Sequence, residues 1–211
     1  MRRVLYSLYD DTLYGTIEKF VQNNSLQRYA SAMKYRKKVD RFNSLMSYVL
    51  LCLAVGKGVG DLIIGRNGKP SLSVEFKNLY FSISHTQSLV ATAISDSPIG
   101  IDIEENSNVT AELISMVSTN GEIRPLGNRP LALLWTAKEA MSKLVNEDYY
   151  SAPHTSLVIN GEELIDESHP SIVLEYRTCS THTFCLASLI REEISIEYVD
   201  KFQVIEFLKN I

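Results

Sequence analysis

The sequence lacks several features that would assign it to a broad functional class. No apolar run is long enough to span a membrane, and we find no low-complexity tract and no close internal repeat. A general basic excess is also missing, since the net charge is −4 and the isoelectric point is near 5.6. These absences argue against a membrane protein and against a general nucleic-acid binder.

The cysteine content excludes a disulfide framework and a cysteine-rich metal site. The three cysteines, Cys52, Cys179 and Cys185, cannot all pair, and they do not have the spacing of metal ligands. We therefore expect reduced thiols in a cytoplasmic protein. What the chain does have is 211 residues with 45% hydrophobic content, enough for one large domain or two small ones.

Residues 81–104 combine strand patterns with polar residues at the strand ends. Apolar and polar residues alternate before His85 and again from Ile99, with an apolar run from Leu89 between them. In the last strand, Asp102 and Glu104 share one face, roughly 6.5–7 Å apart along the strand. A divalent metal would relieve the repulsion between two such carboxylates. The alternative is an edge strand whose polar face lies in water.

A helix is predicted at residues 131–144, with Pro130 in its first turn and Asn128 as the N-cap. Apolar residues at helical spacing form one stripe, and Glu139 and Lys143 lie one turn apart on another face. This pair is either functional or a surface salt bridge. Both halves of the chain combine one main helix with several strands, which predicts the α+β class.

A basic run, Lys34 to Arg41, precedes a second long helix that we expect from about Asp40. Such a run is either a solvated helix face or a surface for an anionic ligand or an acidic partner protein. Further along, residues 67–70 (Asn-Gly-Lys-Pro) predict a turn.

Four motifs, taken in order, resemble those of the 4′-phosphopantetheinyl transferases of the two-lobed Sfp-like type. They are Gly68-Lys69-Pro70, Phe81-Ser82-Ile83-Ser84-His85, Gly100-Ile101-Asp102-Ile103-Glu104 and Trp135-Thr136-Ala137-Lys138-Glu139-Ala140-Met141-Ser142-Lys143. The resemblance implies two similar α/β lobes in one chain, a pseudo-dimer, with a helix packed on a small antiparallel sheet in each. We expect the lobes at residues 1–98 and 99–211.

The resemblance also implies a reaction. A serine of an apo acyl or peptidyl carrier protein would attack the β-phosphate of coenzyme A and release 3′,5′-bisphosphoadenosine. Asp102, Glu104 and Glu139 would hold Mg²⁺, or Mn²⁺, on the pyrophosphate. Glu139 would accept the serine proton, and Lys143 would neutralise charge on the phosphate.

Coenzyme A would contact both halves of the sequence. By resemblance, Lys69 and Pro70 border the nucleotide end, and His85 lies near the 3′-phosphate, although a lone histidine at a strand end is more often structural. The full set of implied coenzyme A residues is Arg28, Lys69, Pro70, Ser84, His85, Asp102 and Lys143.

Two positions depart from the family pattern. Asn43 stands where the family has a basic residue, usually arginine, and it cannot pair with a phosphate as a cation. The loop after Lys143, residues 145–151, lacks the glycine-containing segment of the family, and this change affects the expected approach of the carrier protein.

Other functions remain open at this level. The chain could be a catalytically inactive protein of the same fold that binds coenzyme A or a nucleotide, or an unrelated metal-dependent phosphohydrolase. For the favoured function we expect a monomer that binds an acidic, helical carrier domain and no nucleic acid or membrane.

Overall fold

The computed structural model describes residues 2–65, 68–146 and 155–211. Two compact units account for the chain: Met1–Asp96 together with Glu193–Ile211, and Ser97–Glu192. The sequence prediction put the boundary after residue 98 and left residues 193–211 in the second lobe. In the structure those last residues pack with the first unit, and the predicted lobes stay a prediction as functional domains.

The helices and strands, numbered in chain order, follow the α+β class that the sequence predicts. They are β1 (Arg2–Leu8), α1 (Tyr14–Asn24), α2 (Leu26–Met33), α3 (Lys38–Val55), β2 (Ile63–Ile64), β3 (Pro70–Ser71), β4 (Tyr80–His85), β5 (Leu89–Ser95), β6 (Ile99–Glu105), α4 (Ala111–Val117), α5 (Asn120–Ile123), α6 (Ala132–Val145), β7 (Leu157–Asn160), β8 (Glu163–Asp166), β9 (Val173–Thr178), β10 (His182–Ser188), β11 (Ser195–Tyr198) and α7 (Lys201–Asn210).

The first unit is built on a sheet with the strand order β11-β1-β5-β4. Its pairs are antiparallel except for β1 with β11, which run parallel. Helix α3 packs on β5, and nearly every side chain from Phe42 to Cys52 is buried. Its mostly apolar sequence explains this position, because a helix without a broad polar face is stable only inside a core. Gly56, at φ 81°, ends the helix.

The second unit is built on an antiparallel sheet with the strand order β6-β10-β9-β8-β7, and α6 packs on β6 and β10. Close packing of α6 on β6 depends on Gly100. A Cβ atom at this position would lie 2.7 Å from the backbone nitrogen of Leu144 and closer still to the carbonyl oxygen of Ala140. Any larger residue would therefore push the helix off the strand.

The sequence predictions for the site-bearing elements are confirmed, with one correction. Strands β4, β5 and β6 and helix α6 form at the expected positions. However, Asn128 is not the N-cap of α6 and Pro130 is not in its first turn: the helix begins at Ala132, and the cap position is Leu131, which makes no side-chain capping bond. Asn67 and residues 147–151 of the altered loop lie outside the described residues. Within residues 2–65, 68–146 and 155–211, no helix has both the length and the apolar character required to cross a bilayer.

Candidate active site

One face of β6 carries the two predicted metal ligands and is covered by α6. Gly100 lies against the backbone of α6, so Asp102 and Glu104, two and four residues further on, lie on that same face. This geometry satisfies the main requirement of the sequence hypothesis, since the helix that carries Glu139 packs on the strand that carries both acids.

Asp102 and Lys143 form an ion pair between the strand and the helix. The Lys143 ammonium donates to Asp102 Oδ1 at 2.7 Å. The Asp102 side chain is only 8% exposed, whereas that of Lys143 is 29% exposed. Asp102 also lies opposite Cys185 on β10. Burial raises the pKa of the Cys185 thiol, and the negative charge of Asp102 raises it further.

Glu104 and Glu139 are the other two predicted acids. Glu104 is partly exposed, and its Oε1 accepts hydrogen bonds from the backbone nitrogen of Glu105 at 2.9 Å and from Asn108 Nδ2 at 3.0 Å. Glu139 is half-buried on α6, one turn before Lys143 and therefore on the same side of the helix.

The chemistry of these three acids fits a hard divalent cation, because carboxylate oxygens are the ligands that Mg²⁺ prefers. The arrangement of these acids in the structure, however, differs from that of a metal site. Among the residues that the structure describes, no three His, Cys, Asp or Glu side chains are grouped closely enough to hold a metal ion. One Asp102 oxygen accepts from Lys143 instead. Metal binding to Oδ1 of Asp102 would thus require Lys143 to move.

A buried network, which the sequence analysis missed, supports α6 beside the candidate site. Lys138 is almost fully buried, and its ammonium donates to Glu122 Oε2 at 3.1 Å and to the carbonyl oxygen of Val117 at 2.6 Å. Glu122 also accepts from Thr155 Oγ1 at 2.9 Å and from the backbone nitrogen of Leu157 at 3.2 Å. The network therefore ties α6 to α5 and to the start of β7.

The charge state of Glu122 follows from these partners. Burial alone would raise the pKa of its carboxyl, but hydrogen bonds from Thr119 and Leu157 and the charge of Lys138 hold the pKa below its usual value. A local signal was present in the sequence. Thr119 and Glu122 have the spacing of a capping box, and the structure contains that capping box at the start of α5. The long-range bond to Lys138 had no such signal.

In the first unit, the end of β4 carries Ser84 and His85. Ser84 is buried and His85 is exposed. The turn that follows is held from α3, where the fully buried Asn43 donates from Nδ2 to the carbonyl oxygen of Thr86 at 2.7 Å. Asn43 thus positions the segment next to His85, which is a different role from the phosphate-binding cation that the family pattern has there.

Arg28 is held against the same helix. Its Nε donates to the carbonyl oxygen of Ser44 at 3.1 Å, and its Nη2 donates to Ser47 Oγ at 2.8 Å. Burial lowers the pKa of this guanidinium. Helix α3 therefore organises two of the predicted coenzyme A regions, around Arg28 and around His85.

Lys69 and Pro70 lie at the small β2–β3 hairpin. Pro70 pairs with Ile64, and the carbonyl oxygen of Lys69 accepts from the backbone nitrogen of Gly65 at 3.0 Å. Both residues are partly exposed, and burial lowers the pKa of Lys69. The predicted site residues thus belong to two groups, with Arg28, Lys69, Pro70, Ser84 and His85 in the first unit and Asp102, Glu104, Glu139 and Lys143 in the second.

Two curated proteins of one family are similar in sequence to this chain. The chain is 27% identical over 156 residues to the 4′-phosphopantetheinyl transferase psf-1 of Bacillus pumilus, and 26% identical over 141 residues to the 4′-phosphopantetheinyl transferase gsp of Aneurinibacillus migulanus. These two matches support the resemblance of the chain to the 4′-phosphopantetheinyl transferase superfamily. The resemblance of the four motifs is thereby confirmed.

The two matches cover only part of this chain and part of each relative. They cover 68% and 61% of this chain, and the chain spans 66% and 58% of the two relatives, less than two thirds of each. No family model matches the sequence. The similarity therefore concerns the fold and the motifs and does not by itself establish the activity.

Proposed function

We propose that this protein transfers the 4′-phosphopantetheine moiety of coenzyme A to a serine of an apo acyl or peptidyl carrier protein. The serine oxygen would form a bond to the β-phosphorus of coenzyme A. The bond between that phosphorus and the bridging oxygen would break, and 3′,5′-bisphosphoadenosine would leave. The observation that supports this proposal most directly is the contact between β6 and α6, which brings Lys143 to Asp102 and carries Glu139 one turn away.

Glu139 and Lys143 have complementary roles in this proposal. Glu139 accepts the proton of the attacking serine, for which a half-buried carboxylate on a rigid helix is suited. Lys143 neutralises charge on the phosphate oxygens, because a positioned ammonium group interacts most strongly where negative charge develops. The serine comes from the carrier protein, so the enzyme needs no nucleophile of its own, and its contribution is positioning and charge stabilisation.

The proposal includes a divalent cation, Mg²⁺ or Mn²⁺, held by Asp102, Glu104 and Glu139. When bound, such an ion neutralises charge on the pyrophosphate of coenzyme A. In the first unit, Arg28, Lys69, Pro70, Ser84 and His85 would bind the nucleotide end. The buried bonds that fix Arg28 and the segment after His85 to α3 support this assignment, because they preorganise both regions before the ligand arrives.

The basic run supports the choice of an acidic carrier domain as the partner. Lys34, Arg36 and Lys37 are exposed between α2 and α3. Lys38 differs, since it pairs with Asp11 at 2.7 Å. An exposed cluster of one sign steers an oppositely charged partner and is screened by salt. The rate of carrier association should therefore fall as the salt concentration rises, and a rate independent of salt would remove this surface from the proposal.

Intact-protein mass spectrometry tests the transfer itself. A panel of apo carrier proteins is incubated with this protein, coenzyme A and Mg²⁺. We expect one carrier or more to gain the mass of a single phosphopantetheine. The gain should be lost with Asp102→Ala and retained with Glu163→Ala, which removes a surface carboxylate of the same unit that pairs with Arg191.

Two outcomes would contradict the proposal. Coenzyme A binding without a mass gain on any carrier would indicate a catalytically inactive binding protein of the same fold. Release of bisphosphoadenosine in the absence of any carrier would indicate a phosphohydrolase.

A further inference from the structure

The Asp102–Lys143 ion pair joins a carboxylate that is nearly inaccessible to a lysine that reaches the surface. With 8% of its side chain exposed, Asp102 cannot rely on water for its solvation. A buried carboxylate without a partner is strongly unfavourable, and the ammonium 2.7 Å away stabilises the charged form of Asp102. Lys143 is more exposed and has a flexible four-carbon stem, so it can leave Asp102 without any movement of the backbone.

A metal ion and the Lys143 ammonium cannot both sit on the same oxygen of Asp102. A metal ion bound to Oδ1 would lie within a few ångströms of Lys143 Nζ, and two cations at such a distance repel each other strongly in a partly buried site. The metal ion and Lys143 would therefore compete for Oδ1 of this carboxylate.

We propose that Lys143 is the resting counter-ion of Asp102 and competes with the divalent metal ion for this carboxylate. This inference rests on the proposed function, because it takes Asp102 as a metal ligand and a phosphate group as the second partner of Lys143. When the pyrophosphate of coenzyme A is bound, it offers Lys143 another anion. Lys143 then leaves Asp102, and the carboxylate becomes available to the metal. Metal binding is thus weak in the empty protein and strengthened by the substrate.

Direct titration of the ligand-free protein with Mn²⁺ tests the competition. Free Mn²⁺ is measured by electron paramagnetic resonance, with no coenzyme A and no carrier present. We expect Lys143→Met, which keeps most of the stem and removes the charge, to bind Mn²⁺ about tenfold more tightly than the wild type, or about 1.4 kcal/mol. Lys143→Arg retains the charge and should bind Mn²⁺ as the wild type does.

Three controls separate competition from other effects. Arg191→Met removes one positive charge of the same unit, also paired with a carboxylate, and should leave the Mn²⁺ affinity unchanged. In the Asp102→Ala background, adding Lys143→Met should give no tightening, since the effect has to act through Asp102. Circular dichroism checks that each variant is folded, and Lys143→Gln replaces Lys143→Met if the latter fails to fold.

The inference is overturned if the uncharged variant binds Mn²⁺ as weakly as the wild type, if tightening persists without Asp102, or if no variant binds Mn²⁺ at all. Its failure is distinguishable from failure of the proposed function. Metal affinity is measured without any substrate, so a protein inactive in the mass-spectrometric assay can still show the competition. A negative metal result likewise leaves the transfer assay to be judged by itself.

Discussion

The amide of Asn43 donates to the carbonyl oxygen of Thr86 across 2.7 Å, in the interior of the first unit and one residue away from His85. Asn43 is completely buried, and its own Oδ1 has no hydrogen-bond partner among the described residues. The bond couples the N-terminal half of α3 to the end of β4. Changes at Asn43 should therefore affect both stability and the predicted nucleotide-binding end of the molecule.

Substitution of Asn43 should distinguish a lost hydrogen bond from a buried charge. Asn43→Leu removes the hydrogen bond to the Thr86 carbonyl but also removes the unpaired Oδ1, so we expect a loss of about 1–3 kcal/mol. Asn43→Asp places an acceptor against that carbonyl and should cost more at pH 8. Burial raises the pKa of the new carboxyl above its unfolded value, so the penalty is relieved as the pH falls through the folded pKa.

Urea unfolding at pH 5 and pH 8 measures both effects. The stability of Asn43→Asp relative to the wild type should improve at pH 5, whereas that of Asn43→Leu should not change. Equal behaviour of the two variants at both pH values would mean that position 43 does not bury a charge.

Glu122 gives a second test, of the network that holds α6. Glu122→Gln removes one charge of a buried pair and deprives Lys138 of the carboxylate it is bonded to, which should cost about 3–5 kcal/mol near neutral pH. The depressed pKa of Glu122 means that its contribution is present above the ordinary pKa of 4.5 and is lost as the pH falls through the lower, folded pKa. The difference in unfolding free energy between wild type and variant should therefore shrink below about pH 4.5.

The matched control for this variant is Glu163→Gln, at an exposed ion pair with Arg191 in the same unit. It should change stability by less than about 1 kcal/mol. A similar loss for both variants would show that burial of the Lys138 pair is not what makes Glu122 important.

Gly100 tests the packing of α6 on β6. Gly100→Ala adds a Cβ that clashes with the backbone of α6 at Ala140 and Leu144, so the helix must shift. We expect a loss of about 2–4 kcal/mol, in the range of overpacking and backbone strain. Gly121→Ala is the control, because its Cβ would meet Thr119 Oγ1 at an ordinary 3.6 Å. Thermal unfolding of the two variants measures the difference, and equal stability would contradict the close approach.

Glu139→Gln tests the proposed general base. The amide keeps the size of the side chain but cannot accept the serine proton, so turnover should fall by about 10²-fold or more while coenzyme A affinity changes only modestly. Glu112→Gln, an equivalent change on the exposed surface of α4, is the control. Turnover is measured by carrier modification and affinity by calorimetry. Normal turnover in Glu139→Gln would remove this residue from the mechanism.

The three cysteines should differ in reactivity. Cys179 is exposed, and hydrogen bonds from Thr181 and from the backbone nitrogen of His182 lower the pKa of its thiol. Burial raises the pKa of Cys52 to about 11 and that of the equally buried Cys185 as well. A colorimetric thiol reagent should therefore modify one thiol quickly in the folded protein and all three after unfolding. Fast modification that persists in Cys179→Ser would contradict this assignment.

The sequence predicted the site-bearing elements well because their signals are local. Alternation of apolar residues marked β6, and helical spacing marked α6 with Glu139 and Lys143 on one side. The interaction partners of these residues were harder to predict from the sequence. Lys143 could be matched along its own helix with Glu139, but its bond to Asp102 depends on how α6 lies on β6, which no short pattern encodes. The same reason explains why the network around Lys138 was missed.

Asn43 illustrates a second limit of sequence reasoning. Comparison with the family pattern showed only that the basic residue expected at position 43 is missing. The structure adds what the residue does, namely hold the Thr86 carbonyl. The role of a buried amide depends on the groups that pack around it in the folded protein. Here the carbonyl that Asn43 binds lies 43 residues away in the chain.

The parallel pairing of β1 with β11 has a consequence for biosynthesis. Arg3 on β1 and Glu197 on β11 form a salt bridge although 194 residues separate them. On the ribosome, the first strand is therefore made long before its neighbour, and residues Ser97–Glu192 can fold in the interval. An unpaired strand edge is a template for aggregation. A nascent chain of this protein carries the exposed edge of β1 until β11 emerges. Chaperones would matter most during this interval.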